Sequence, residues 1–187
     1  MEKYNILLAG VGGQGIVLAS DVISDMLLGR GFDVKKSEIH GMSQRGGVVS
    51  SFIRAAEKVY SPVPCRFEIT HIASFEEMEM IRWVPWMNPE TFAVANTLRI
   101  KPAPLKSMED YPDAKQLLAG KKIKFIDASD EAKKCGDARL LSSVMAGAVC
   151  AGLGFTAGEY KAALKNRLKK LIDENCAAFE RGKELVK

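Results

Sequence analysis

Three glycines close to the N-terminus have the spacing of a phosphate-binding turn. Gly10, Gly12 and Gly15 lie within LLAGVGGQG, between an apolar run and a helical pattern, and they fit G-x-G-x-x-G. In that pattern glycine permits a tight turn and the close approach of a phosphate, and the third glycine lets the helix pack against the strand. The N-terminus of the helix adds free N–H groups and a partial positive charge. The turn at residues 10–15, named the glycine turn below, is therefore able to hold an anion.

A second glycine-rich segment, HGMSQRGG at residues 40–47, is named the second loop. Arg45 supplies a fixed cation whose planar donor fork suits phosphate or carboxylate. Gln44 adds a neutral donor and acceptor beside it. The residues alone allow two interpretations, an anion-recognition edge or a surface loop whose arginine pairs with Glu38.

Binding of NAD would need more than the glycine turn, usually an acidic residue at the end of the second strand. Glu38 stands at about that position. However, residues 35–37 (KKS) make this strand too polar for the buried central strand of a dinucleotide fold. The only histidines are His40 and His71, and His71 lies inside a predicted strand, so no hydride-transfer apparatus is evident. The turn thus favours a use other than NAD binding, with NAD(P) or flavin binding as an open alternative.

Strands and helices alternate through the first two thirds of the chain. The pattern predicts strands at residues 4–9, 32–37, 48–55, 67–75, 91–95 and 122–126, and helices at 14–28 and 76–83. This order predicts an α/β fold with an open, mostly parallel, Rossmann-like sheet and C-terminal helices. Ligands of such sheets bind beyond the carboxyl ends of the strands. The glycine turn, residues 38–47 and Asn96 should meet at that edge.

From Arg139 onward the pattern is helical only. Residues 140–155 are apolar on nearly every side, which predicts a buried helix. Thr156 and Glu159 form a capping box for a helix whose apolar stripe would be Tyr160, Leu164, Leu168, Leu171 and Ile172. The lysines between residues 161 and 170 would form its solvated face. We expect a single domain over residues 1–187, with a sheet part at 1–138 and a helical part at 139–187.

Composition narrows the class of protein. The chain has 187 residues, 47% hydrophobic and 27% charged, which is typical of a soluble globular protein. Its net charge of +4 is dispersed, so nucleic acid is not an expected partner. It has no signal-peptide pattern and no apolar run long enough to span a bilayer, so a cytoplasmic protein without a membrane partner is expected. The four cysteines share no CxxC spacing, which predicts reduced thiols and no metal site in this chain.

The segments LLAGVGGQGIVLAS, SEIHGMSQRGGVVSSFIR and ENCAAFERG together resemble the small, or beta, subunit of indolepyruvate ferredoxin oxidoreductase. They are similar more widely to the gamma domain of 2-oxoacid:ferredoxin oxidoreductases. The resemblance covers nearly the whole chain, and the combination of GVGGQG with GMSQRGG is what makes it specific.

The resemblance implies a subunit that is inactive by itself and has no catalytic residue. A large alpha subunit would bind thiamine diphosphate with Mg²⁺ and carry iron–sulfur clusters. The complex would oxidatively decarboxylate an arylpyruvate to an acyl-CoA and pass electrons to ferredoxin, while this chain alone binds no cofactor. A purely structural interface subunit remains an alternative. The residues expected at the active-site entrance, or in contact with the phosphates of coenzyme A, are Gly10, Gly12, Gly13, Gln14, Gly15, Ser43, Gln44, Arg45, Gly46 and Gly47.

Overall fold

A computed structural model describes residues 2–41 and 46–187. The strands are β1 (Tyr4–Val11), β2 (Asp33–His40), β3 (Val48–Ala56), β4 (Ile69–Ser74), β5 (Met87–Asn96) and β6 (Ile123–Ile126). The α-helices are α1 (Ile16–Gly29), α2 (Glu77–Trp83), α3 (Ala114–Leu117), α4 (Ala128–Lys134), α5 (Leu141–Cys150), α6 (Ala157–Lys165) and α7 (Ile172–Glu184). None of the helices in the described ranges has both the length and the hydrophobicity that crossing a membrane requires.

The six strands form one sheet in the order β2-β3-β1-β4-β5-β6. Strands β1, β4, β5 and β6 are parallel neighbours, whereas β3 runs antiparallel to both β1 and β2. The predicted α/β fold with a mostly parallel sheet and C-terminal helices is confirmed. In a dinucleotide-binding fold the second strand lies beside the first, and the corresponding strand here is β2. It lies one position further out, because β3 takes the place next to β1.

The central strand β1 is buried on both faces. Ile6 and Leu8 point into a large hydrophobic cluster shared with α1 and the C-terminal helices. Leu7 points to the other face, into a smaller cluster that contains Phe52 and Met80. This double burial explains why residues 6–9 form a continuous apolar run, as in other strands that helices cover on both sides. By contrast, β2 is an edge strand, which accounts for its polar sequence.

The C-terminal helices pack on the same side of the sheet as α1. All ten residues of α5 are buried, as expected for this apolar segment. Helix α7 approaches it so closely that a Cβ added at Gly147 would lie 1.9 Å from the backbone oxygen of Phe179. A Cβ at Gly182 would lie 1.9 Å from the backbone oxygen of Val144. Glycine at these two positions therefore sets the distance between the helices.

The capping box of Thr156 and Glu159 begins α6 as predicted. The expected continuous stripe from Tyr160 to Ile172 is wrong, because α6 ends at Lys165 and α7 begins only at Ile172. Leu171 interrupts the helical path with a left-handed φ of 57°. The helical periodicity of the stripe was real, but it continued across a loop in which the chain changes direction.

Candidate functional site

The two glycine-rich segments meet at the carboxyl ends of the strands. The backbone N–H of Gly12 donates a hydrogen bond to the carbonyl of Gly47 at 2.8 Å. The backbone N–H of Gly41 donates to the carbonyl of Val48 at 2.7 Å, which closes the base of the second loop. Asn96, the last residue of β5, lies at the same edge. This edge, made of the glycine turn, the described ends of the second loop and Asn96, is named the rim.

The glycine turn leaves the N-terminus of α1 electrostatically open. Gly15 stands at the N-cap with a left-handed φ of 77°. Because it is a glycine, it has no side chain to cap the helix. The first turn of α1 contains no acidic residue to compensate the partial positive charge. The backbone N–H groups of Gly13 and Gly15 have no hydrogen-bond partner among the described residues. An anion at this turn would meet these groups rather than the N–H of Gly12, which Gly47 already occupies.

Gln14, expected among the entrance residues, has a mainly internal role. Its side-chain oxygen accepts a hydrogen bond from the backbone N–H of Val11 at 2.6 Å, and its amide nitrogen donates to the carbonyl of Phe75 at 2.9 Å. Asn96 donates to the same carbonyl at 3.0 Å and accepts from the N–H of Ala128 at 3.0 Å. Two amides thus hold the ends of neighbouring strands in a fixed arrangement.

Gly10 and Gly15 are required by close packing. A Cβ at Gly10 would lie 2.8 Å from the Cβ of Phe75. A Cβ at Gly15 would lie 2.8 Å from the Cβ of Ser142, at the start of α5. The sequence pattern attributed Gly15 to packing of the helix against its strand, but the close neighbour is α5.

The predicted site residues Ser43, Gln44 and Arg45 lie outside the described residues. Gly46 follows them with a left-handed φ of 69°. Glu38, the expected ion-pair partner of Arg45 in one interpretation, accepts hydrogen bonds from Lys36 at 2.6 Å and has the His40 ring nitrogen at 3.1 Å.

The strand order weakens the case for NAD. In a dinucleotide fold the acidic residue follows the strand next to the glycine turn. Here Glu38 lies within β2, and β3 separates β2 from β1. His71 pairs with Ile6 along β4, several residues before the rim, and burial lowers its pKa to about 4. Within residues 2–41 and 46–187, no three His, Cys, Asp or Glu side chains are grouped as a metal site would require.

A cavity of about 510 Å³ opens beside the rim, on the side of the sheet opposite α1. Its volume lies within the range of small-molecule pockets, roughly 300–1,000 Å³. It is lined by Val11, Gly41, Gly46, Gly47, Val48, Glu76, Met78, Glu79, Arg82, Ile100, Lys101, Pro102, Ala103 and Pro104. This space is named the rim cavity, and it shares Val11 and Gly47 with the base of the glycine turn and second loop.

Glu76 lines the rim cavity and connects the segments that surround it. One of its carboxylate oxygens caps α2 by accepting from the N–H groups of Met78 at 2.8 Å and Glu79 at 3.1 Å. The other accepts from the N–H of Ile100 at 3.0 Å and from the hydroxyl of Tyr111. This buried carboxylate therefore joins α2 to the segment at residues 100–111.

Glu79 is as buried as Glu76 but has fewer partners. It is 2% exposed, and burial raises its pKa above the usual value. Its one hydrogen bond within the described chain comes from Nε of Arg82 at 3.1 Å, to a single carboxylate oxygen. Its neighbour Glu77 is paired bidentately, with two nitrogens of Arg99 at 2.8 and 3.1 Å.

The chain is similar to known proteins along almost its whole length. The pyruvate ferredoxin/flavodoxin oxidoreductase family matches residues 5–185. The chain belongs to this family. Among its relatives is indolepyruvate oxidoreductase subunit IorB of Methanothermobacter thermautotrophicus, which is 36% identical over 96% of each chain. The expected resemblance to a subunit of a 2-oxoacid:ferredoxin oxidoreductase is confirmed.

Solved structures of ferredoxin oxidoreductases share the fold. The gamma subunit of a keto/oxoacid ferredoxin oxidoreductase from Geobacter sulfurreducens has a TM-score of 0.73 at 17% identity, over 98% of both chains. The 2-oxoglutarate:ferredoxin oxidoreductase of Magnetococcus marinus, solved with 2-oxoglutarate, coenzyme A and succinyl-CoA, has a TM-score of 0.77 at 21% identity. All of the present chain, but only 31% of that longer chain, takes part in the second match.

The sequence pattern did not identify the rim cavity as part of the site. Glu76 and Glu79 fall within the helix predicted at residues 76–83, for which the sequence pattern indicates no binding site. Pro102 and Pro104 lie between β5 and α3, in a stretch for which the sequence pattern predicts no strand or helix. One feature of the sequence could have indicated the cavity. It is an acidic residue, Glu79, in the helix after β4, combined with two prolines, Pro102 and Pro104, after β5.

Proposed function

We propose that this chain is the small subunit of a ferredoxin oxidoreductase that acts on indolepyruvate or a related arylpyruvate. We further propose that its rim forms part of the entrance to a reaction centre held by a large partner subunit. The full-length likeness to an indolepyruvate oxidoreductase subunit carries the proposal. The convergence of the glycine turn and the second loop at one edge supports the position of the entrance.

The proposed division of work gives the chemistry to the partner. The large subunit binds thiamine diphosphate with Mg²⁺ and carries the iron–sulfur clusters. The complex converts the 2-oxoacid and coenzyme A into an acyl-CoA and carbon dioxide, and the two electrons released pass to ferredoxin. Thiamine diphosphate supplies carbanion stabilisation during decarboxylation. This chain orients and admits reactants and contributes no catalytic residue. The chain acts in the cytoplasm. It folds as one domain, made of the sheet part and the helical part.

Coenzyme A is the reactant that the rim is suited to meet. Its phosphates match the N–H groups of Gly13 and Gly15 and the positive N-terminus of α1. Arg45, next in the chain to Gly46, supplies the cation, and Ser43 and Gln44 add polar donors. The oxidoreductase of Magnetococcus marinus was solved with coenzyme A bound.

Anaerobic purification from the native host tests the proposed class. We expect this chain to be recovered with a larger companion that contains thiamine diphosphate and iron. Purified alone, the chain should be colourless and unable to oxidise 2-oxoacids. Turnover by the isolated chain, or a tightly bound nicotinamide or flavin, would refute the proposal.

The role of Arg45 is tested in the reconstituted complex. Arg45→Ala should raise the apparent KM for coenzyme A about 10-fold, as expected when a charge-assisted hydrogen bond is lost. Lys169→Ala, an exposed cation in the loop between α6 and α7, is the matched control and should leave this KM unchanged. An unchanged KM in Arg45→Ala would contradict contact with coenzyme A. Loss of the partner subunit instead would favour a purely structural interface.

A further inference from the structure

Glu79 is an unusually costly residue for the short helix α2. A buried carboxylate is destabilising unless several donors compensate the loss of water. Glu76 and Glu77, three and two residues earlier, both meet this requirement. Within the part of the chain that the structure describes, the Glu79 side chain accepts a single hydrogen bond, from Arg82, although it is 2% exposed. Its second oxygen has no partner among the described residues.

The salt bridge to Arg82 does not by itself explain why Glu79 is a buried acidic residue. The Arg82 side chain is 55% exposed, so water already solvates its guanidinium. A salt bridge to such an exposed cation contributes little. Glu79 also lines the rim cavity, where the carboxylate oxygen that has no partner among the described residues is available to a molecule inside.

The remaining lining of the rim cavity restricts the class of that molecule. Most of the lining is apolar, from Val11, Val48 and Met78 and from the segment at residues 100–104 except Lys101. Arg82 and Lys101 also lie at the cavity and oppose a cationic ligand. A flat apolar group that carries one neutral N–H, attached to an acid, satisfies all of these features. An indole ring has such a group, since its nitrogen is a donor only.

We infer that the rim cavity receives the aromatic side chain of the 2-oxoacid and that Glu79 selects a ring with an N–H donor. The inference rests on the proposed function and adds a specificity-determining residue to it. The ring packs between the valines, Met78 and the proline-containing segment, while the carboxylate of Glu79 accepts from the ring nitrogen. An aromatic ring without a donor leaves this carboxylate unpaired, so it is rejected.

Two substrates of nearly equal shape test the inference in the reconstituted complex. One is indole-3-pyruvate, and the other is its benzothiophene analogue, in which sulfur replaces the ring N–H. The wild-type complex should prefer the indole compound by at least about 10-fold in kcat/KM, because a site built around a donor discriminates against analogues that lack it. Glu79→Met, which keeps length but removes the acceptor, should abolish the preference. Glu79→Gln, a neutral acceptor, should give an intermediate ratio.

Glu77→Gln is the matched control, since Glu77 is equally buried on the same helix but is paired with Arg99 and does not line the cavity. It should leave the ratio of the two substrates unchanged, even if the thermal stability falls. Absence of a preference in the wild type, or an equal loss of both substrates in Glu79→Met, would overturn the role of Glu79. A different result would refute the proposed function itself, namely a complex that oxidises no 2-oxoacid at all.

Discussion

The two faces of the sheet differ in how completely they are covered. One face, named the helical face, packs against α1 and α4–α7 through the larger hydrophobic cluster. The other, named the open face, packs against α2, α3 and loops through a smaller cluster that includes Phe52 and Met80. The rim cavity belongs to the open face. The larger hydrophobic cluster therefore lies on one side of the sheet, and the rim cavity lies on the other.

Polar groups follow the same division. On the helical face the buried hydroxyl of Tyr160 donates to Ser143 at 2.7 Å, inside the packed helices. On the open face Glu79 lines a cavity, and one of its carboxylate oxygens has no hydrogen-bond partner within residues 2–41 and 46–187. Trp83 and Trp86 contact Phe52 and are half-buried there, so their main role is in the smaller cluster. The Tyr160 hydroxyl is hydrogen-bonded within the protein, whereas the Glu79 carboxylate can accept a further hydrogen bond from a bound molecule.

The strongest test of this comparison is a methyl group placed between α5 and α7. Gly182→Ala should destabilise the chain by about 3 kcal/mol or more, because the added Cβ meets the backbone oxygen of Val144 at 1.9 Å. Gly158→Ala in α6 is the control, since the nearest atom would be the Thr156 hydroxyl at an ordinary 3.7 Å. It should have no cost or should stabilise slightly. Urea unfolding of both variants measures the difference, and equal stabilities would contradict a tightly packed helical face.

A medium effect is expected from His71, which lies between Tyr4 and Phe92. Its pKa falls from 6.5 to about 4 because burial disfavours the charged ring. Between these values the unfolded chain binds a proton that the folded chain does not, so stability decreases as the pH falls from about 6.5 to about 4. The loss should be on the order of 3 kcal/mol at most. In His71→Phe, unfolding followed over this pH range should show a flatter dependence, and an unchanged slope would refute the role of His71.

The smallest expected effect comes from removing the hydrogen bonds that the Gln14 side chain makes at the rim. Gln14→Ala removes the bonds to Val11 and Phe75 and should cost about 1–2 kcal/mol in the free energy of unfolding. Gln116→Ala, at an exposed position of α3, is the control and should change stability by less than about 0.5 kcal/mol. If Gln14→Ala is as stable as the control, the amide does not hold the strand ends together.

Local features of the fold could be predicted from the sequence, because short-range patterns determine them. The glycine spacing after β1 and the capping box at Thr156 specify a turn and a helix start without reference to distant residues. The place of β3 between β1 and β2 could not be predicted in this way, since strand order depends on pairing between distant segments. The end of α6 was missed because the apolar periodicity continued through residues 166–171.

The site was predictable to a similar extent. Glycines with a special conformation are visible in the sequence, so the convergence of the glycine turn and the second loop was foreseen. The burial of Glu79 was not, since an acid in a short helix usually faces solvent. Its burial goes with non-local contacts of α2, such as those of Glu76 with Ile100 and Tyr111, which lie more than twenty residues later in the chain.

Hydrogen exchange of the chain, alone and within the complex purified from its host, tests most directly whether the open face and rim meet the partner. We expect added protection at residues 11–17, 46–48, 78–82 and 100–104, with little change in α5 and α7. Protection confined to α6 and α7, with the rim unchanged, would contradict this expectation.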